Sequence, residues 1–223
     1  MQPTKTDFKK TLDAYRAKHH EFRVVDVPPL QYLMLDGHGD PNSAAGHGDP
    51  NSAAGHGDPN GTSEFGDALA VLYPVAYKLK FASKQGLGRD YVVMPLEGQW
   101  WSADMNAFTT ARDKSQWDWT LMMMVPDWIT PGMFDAAVAA VWAAGPAASL
   151  DRVRLETLAE GRCVQTLHIG SYDDEAEILD RLHHEFIPGA GLTMRGRHHE
   201  IYLSDARKVE PARLRTILRQ PVE

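Results

Sequence analysis

The stretch with the clearest chemical content is Arg197–Asp205, RHHEIYLSD. Read as a strand, it alternates its side chains between two faces. His198, Glu200 and Tyr202 then point one way, and His199, Ile201 and Leu203 the other. One face offers aliphatic core contacts, and the other sets an acid between two hydrogen-bonding groups. A carboxylate in mid-strand is costly to bury without a partner. That face therefore either meets water, as one side of many antiparallel sheets does, or forms the floor of a pocket. In a pocket, Glu200 would have a raised pKa and could act as general base towards a water.

A second acid, Glu97, sits in the apolar run Tyr91–Trp101, YVVMPLEGQWW. The chain carries six tryptophans, and Trp100, Trp101, Trp117 and Trp119 fall in two neighbouring candidate strands. Core packing accounts for part of that load. Trp117 and Trp119 share one face, and alternation splits Trp100 from Trp101, so two or three rings are expected on a helix-free side of a sheet, beside Glu97 and Glu200. Aromatic walls with a few polar groups suit a flat apolar ligand. Tyr91, Tyr172 and Tyr202 are either donors to a ligand carbonyl or half-buried core residues with wet hydroxyls.

Other chemistries lack their signatures. The HisHis pairs at 19–20, 183–184 and 198–199 do not form HExxH, and no clustered cysteine pattern accompanies them. A G-x-S-x-G elbow is missing. GLGR at 86–89 follows a helix and lacks the Lys-Ser/Thr of a phosphate loop. A formal charge of −7 argues against nucleic acid as partner, and the lack of a long apolar run argues against a membrane. The N-terminus has no apolar signal region. The single cysteine, Cys163, lies in an alternating apolar run and reads as a buried thiol in a reducing cytoplasm.

The elements that must position these residues follow from periodicity. Residues 6–19 suggest an amphipathic helix, 22–27 and 31–36 two strands, and a helix starts near Ser63, capped by Thr62 or Ser63. Phe65, Leu69, Leu72, Ala76 and Leu79 form its apolar stripe, and Pro74 should bend it. Strands at 91–101 and 117–125 and a helix at 131–145, stopped by Gly145-Pro146, complete the first half. The second half repeats the plan: strands at 152–158 and 162–169, a helix at 173–186 with Ala176, Leu179, Leu182 and Phe186 inward, the RHHEIYLSD strand, and a last helix at about 209–219.

GHGDPNSAA occupies 37–45, recurs at 46–54 and restarts as GHGDPN at 55–60. Its Gly, Pro, Asn, Asp and Ser content predicts a surface loop. The His and Asp residues could ligate a metal, but nothing in the spacing fixes their mutual geometry. Identical copies point to a recent tandem duplication or an engineered insertion.

Together YLMLDGHGDPN, ALAVLYPVAYKLKF, DYVVMPLEGQWW, WDWTLMMMVP, TLHIGSYDDE and HHEIYLSDARKVEPARLRTILRQPV cover nearly the whole chain. On these pieces it resembles the GyrI-like small-molecule-binding domain proteins, in the stand-alone form described as cyclopropanoid cyclopropyl hydrolases. The resemblance implies an α+β fold of two tandem strand–helix–strand–strand (SHS2) modules, at about 22–125 and 150–205, related by pseudo-two-fold symmetry around a central ligand cleft. It implies a single domain over 1–223, with 37–60 as a loop insertion where the family pattern has one GDPN turn.

The resemblance further implies hydrolysis of flat, cyclopropane-bearing electrophiles without a cofactor. Glu200 and Tyr202 would be catalytic. Ligand contacts would come from Glu97, Trp100, Trp101, Trp117, Trp119, Tyr91, His168, Tyr172 and His198. The partner would be a planar hydrophobic small molecule; a protein partner has only an acidic surface to recommend it. A binding or sequestering module using the same pocket is the alternative to an enzyme.

Overall fold

The computed structural model describes residues 5–41, 64–103, 114–145 and 147–223. Most of the repeated loop, the expected caps Thr62 and Ser63, and Pro146 lie outside them. The architecture is α+β. Eight strands form one sheet: β1 (Arg23–Val27), β2 (Leu30–His38), β3 (Glu97–Trp101), β4 (Asp118–Val125), β5 (Arg154–Leu158), β6 (Gly161–Ile169), β7 (His198–Tyr202) and β8 (Arg215–Pro221). They run in the order β1-β6-β8-β7-β3-β4-β2-β5. Every pairing is antiparallel, and the two halves of the chain join at the β3–β7 seam, where Gly98 faces Glu200 and Glu97 faces Ile201.

Register divides the sheet into two faces, because directly opposed residues share a side. The first face carries Leu33, Leu35, Leu121 and Met123 at one end and Val164 at the other. Helix α2 (Glu64–Gly86) packs on the former through Ala68, Val71, Leu72, Val75, Ala76 and Leu79, all nearly fully buried. Each of the Val and Leu side chains contributes about 1.5–3 kcal/mol by leaving water. Helix α3 (Pro131–Trp142), started by Thr130, whose hydroxyl accepts from the Met133 amide, adds Ala137 and Val141. At the other end α4 (Glu175–Asp180) and the π-helical turn Arg181–Phe186 bring Leu182 onto Val164, and the short α5 (Ile187–Gly189) adds Ile187. The second face carries Tyr32, Met34, Met122, Ile201 and Ile217 and is covered by Ala14 and Tyr15 of the N-terminal segment.

Several elements depart from the periodicity. Residues 6–19 form only α1 (Phe8–Thr11) and a 3-10 turn at Asp13–Tyr15, because Leu12 is extended. The strand expected over 91–101 is confined to 97–101: Pro95 lacks a donor, and Tyr91 makes only an isolated bridge to Thr6. In 173–186 the inward residues are Glu175, Ile178 and Leu182, with Ala176 exposed. The C-terminal helix expected over about 209–219 is instead a 3-10 turn, Pro211–Arg213, followed by β8. Leu214, Ile217 and Leu218 fit helical spacing, but the slot between β6 and β7 offers hydrogen-bond partners on both edges and makes residues 215–221 a central strand.

Candidate functional site

On β7 the expected alternation holds, and its two faces have opposite electrostatic character. On the helix-bearing face, Glu200 is mostly buried. The Tyr202 hydroxyl donates to Glu200 Oε2 at 2.7 Å, and Trp100 Nε1 donates to the Tyr202 oxygen at 3.0 Å. The three residues thus form a directed chain from indole to phenol to carboxylate. Burial pushes the Glu200 carboxyl up to about 7, against the lowering effects of the Tyr202 bond and the positive charges of His199 and Lys114. Burial, with the Glu200 charge beside it, drives the Tyr202 phenol well above its ordinary value. The remaining oxygen, Oε1, lies 3.6 Å from His198 Nε2.

Aromatic rings surround this chain. Trp117 meets Trp100 at 71° with centroids 5.7 Å apart, and Tyr172 meets Tyr202 edge-on at 5.6 Å. Phe65, from the first turn of α2, stacks over Trp100 at 6.4 Å. Lys114 Nζ lies 5.8 Å from the Trp117 ring centroid and 3.6 Å from Asp173. Gly98 makes the indole-to-phenol contact feasible: a Cβ there would stand 2.8 Å from Trp100 Nε1 and 3.3 Å from the Tyr202 oxygen. Towards the neighbouring strands the same face carries Thr216, opposite Tyr202, and then His168, which bonds the Ser171 carbonyl at 3.0 Å. Glu175 is buried close enough to raise the Tyr202 phenol further.

Glu97, expected beside Glu200, is on the opposite face. Its register partner is Ile201, and it is fully buried in a polar cluster. Tyr15 donates to Glu97 Oε1 at 2.5 Å, and His199 Nε2 lies 3.0 Å from Oε2. His199 Nδ1 meets Glu160 at 2.9 Å, and Arg219 bonds Glu160 at 2.7 Å and Gln165 at 3.1 Å. Despite burial, the two acids hold His199 up at about 9, and the His199 and Arg219 charges hold Glu160 down at about 2.

The remaining expected residues divide similarly. Trp100, Trp117, Tyr172, His168 and His198 gather with Glu200 and Tyr202. Trp101 lies on the other face under the Arg197 guanidinium, 3.4 Å from its ring centroid. Trp119 is fully buried and packs edge-on against Phe65. Its ring covers Gly37, where a Cβ would come within 2.0 Å. Tyr91 lies in the core under α2, edge-on to Trp128. The expectation that Trp117 and Trp119 line a helix-free side is therefore corrected: α2 covers this part of the face, and the rings bridge its core to Glu200. Sequence reading missed Phe65 as a site ring, along with Gly98, Glu175 and Lys114. Only Gly98 left a legible trace, as a glycine inside a strand.

Two open surface hollows, of about 410 and 420 Å³, lie elsewhere, one at Phe22 and Phe186 and one at Phe134 and Trp142. Among the described residues, no helix is long and apolar enough to cross a membrane.

No protein of curated description matches the chain. Three crystal structures from Listeria innocua are similar over nearly its full length. An uncharacterized conserved protein is 32% identical with a TM-score of 0.82, covering 98% of this chain and 100% of its own. A hydrolase is 32% identical with a TM-score of 0.77, covering 98% and 100%. A further hydrolase structure is 33% identical with a TM-score of 0.79, covering 99% and 100%. The sequence pattern of the GyrI-like small molecule binding domain matches residues 121–223, which contain Glu200 and Tyr202. With full-length relatives at this identity, the chain belongs to the GyrI-like family of small-molecule-binding proteins.

Proposed function

We propose that the protein binds a planar, largely apolar small molecule against Trp100, Trp117 and Tyr172, and hydrolyses a strained ring in it with Glu200 as general base and without a cofactor. The observation that carries this reading is the Trp100–Tyr202–Glu200 chain: a buried carboxyl pushed up to about 7 by burial, whose Oε2 takes the Tyr202 bond and leaves Oε1 as the base oxygen. A base is most effective when its pKa lies near the working pH. The hydrolase relatives from Listeria support the reaction class.

For a cyclopropane conjugated to a dienone the step balances as the addition of one water. Glu200 takes a proton from water, and the oxygen bonds to a ring carbon. The ring C–C bond breaks, and its electron pair moves through the conjugated system to the carbonyl oxygen, which gains a proton from solvent while Glu200 releases the one it took. Tyr202 spends its proton on Glu200, so Tyr172, edge-on beside it, is our choice of donor to that carbonyl. Tyr202 orients the base and helps set its pKa.

We also read the two halves as SHS2 modules meeting at β3–β7. The sheet order supports this, since β3-β4-β2 and β7-β8-β6 run outward from the seam with matching strand–helix–strand–strand order. Binding without turnover is the second reading, favoured by the family's description as small-molecule binding. Incubation with a cyclopropane-dienone compound separates the two. Ring-opened product from wild type and its loss in Glu200→Gln is the expected result. Intact compound held in a stable complex by wild type would refute hydrolysis.

A further inference from the structure

The hollow at Phe134 and Trp142, of about 420 Å³, lies between α3 and the 3-10 turn Leu150–Arg152. Phe134 and Val138 make its helix wall apolar, and the buried Leu150 and Val153 do the same for the opposite wall. Asp135, Asp151 and Trp142 line it as well. Asp135 and Trp142 are seven residues apart, so they share one face of α3 about 10 Å apart along its axis. Trp142 is the odd one among the six tryptophans. Trp100 and Trp119 are buried. Trp101, Trp117 and Trp128 each have a cation of the chain near the ring centroid: Arg197 at 3.4 Å, Lys114 at 5.8 Å and Arg89 at 5.1 Å. Trp142 is 61% exposed, and among the described residues no cation stands over it.

The electrostatics of this hollow are one-sided. Helix α3 ends at Trp142 with no basic residue in its last turn, so the negative end of its dipole lacks a cation from its own helix. Among the described residues, neither Asp135 nor Asp151 makes an ion pair. Arg152, next to Asp151 in the chain, is committed to Glu64 at 2.8 Å and to the Asp36 carbonyl. The hollow at Phe22 offers a contrast at nearly the same volume, because Arg181 of the chain already stands 5.5 Å over the Phe22 ring. An indole face attracts a cation more strongly than any other aromatic ring does. Two carboxylates and a helix C-terminus add to the same attraction, and apolar walls of this extent suit the body of a small molecule. We propose that the hollow beside α3 is a second ligand site, for a small organic cation carried on an aryl or alkyl body. The Trp142 ring and the two carboxylates select the charge, while Phe134, Val138, Leu150 and Val153 take the body. The site shares no residue with the one around Glu200.

The test titrates the full chain with phenyltrimethylammonium and with tert-butylbenzene, its neutral isostere. Binding is read by NMR from the indole N–H of Trp142, assigned with Trp142→Phe, and from the backbone amides of Ala139 and Asp151. The cation should give a saturable shift of all three signals, and the isostere a far weaker response. Trp142→Ala, followed at the two amides, should weaken binding about 3- to 30-fold. Asp135→Asn with Asp151→Asn should weaken it about 3- to 10-fold and remove most of its dependence on salt. All three side chains are exposed, so Tm should stay at the wild-type value in each variant. An equal response to tert-butylbenzene overturns the proposal, since the hollow would then be apolar without reading charge. Wild-type affinity in Trp142→Ala overturns it too, as does the lack of saturation by about 10 mM cation. Shifts confined to the Trp100 and Trp117 indoles would place the cation beside Glu200 and leave no second site.

Discussion

The two faces of β7 place nearly the same side chains in contrasting circumstances. On one, His199 sits between Glu97 and Glu160, with Arg219 beyond. Every charge there has a countercharge, and the N-terminal segment seals the cluster through Tyr15 and the Ala14 carbonyl, which accepts from Arg219. On the other, Glu200 has a phenol donor and, among the described residues, no cation bonded to it, and the neutral His198 imidazole stands beside it. Adjacent histidines are shifted in opposite directions, His198 down and His199 up. An acid whose charge is fully compensated is structural. An acid left partly uncompensated holds its proton near neutrality and remains available for chemistry.

The largest expected effect comes from Glu200→Gln. It should reduce turnover of a cyclopropane-dienone probe by about 10²- to 10⁴-fold, the range for loss of a general base, while leaving Tm unchanged or higher. A large fall in Tm would place Glu200 with the structural acids and break the contrast. His199→Leu should do the reverse: it leaves Glu97 and Glu160 buried without their shared cation and should cost about 3–5 kcal/mol in denaturant unfolding. Full stability in that variant would show the cluster to be dispensable.

The pH responses should separate as well. Turnover should rise as pH increases through about 7, as Glu200 loses its proton. His199 has a folded pKa of about 9, above its ordinary value of 6.5. Its contribution to stability is therefore fully present below about 6.5 and is lost as pH rises through 9. Rate and stability measured across pH 5–10 should thus move in opposite directions, and parallel curves would argue that one group governs both.

Gly98→Ala is the narrower test of the site face. The added carbon, 2.8 Å from Trp100 Nε1, must displace the indole from Tyr202. A cost of about 1–3 kcal/mol is expected, with kcat lowered more than KM is raised; an unaltered kcat would remove the indole from the argument. The smallest effect should follow deletion of residues 37–54, since the identical GHGDPN at 55–60 resupplies the same sequence, including the Gly-His that ends β2. Tm and turnover should be unchanged, and a change in either would give the repeat a role on one of the faces.

The sequence by itself determined which residues of β7 share a face, because a strand has a fixed period of two. Resemblance over the whole chain placed it in its family and singled out Glu200. The α2 stripe was legible for the same reason as β7: Leu72, Ala76 and Leu79 follow the helical period and are buried. Tertiary structure decided which face of β3 meets which face of β7. Register across the seam depends on partners about a hundred residues apart, and it sent Glu97 to His199 and away from Glu200. It also turned residues 215–221 into a strand, since local spacing cannot see two waiting sheet edges. The phase of the π-helical turn, which no periodicity encodes, brought His183 to His198.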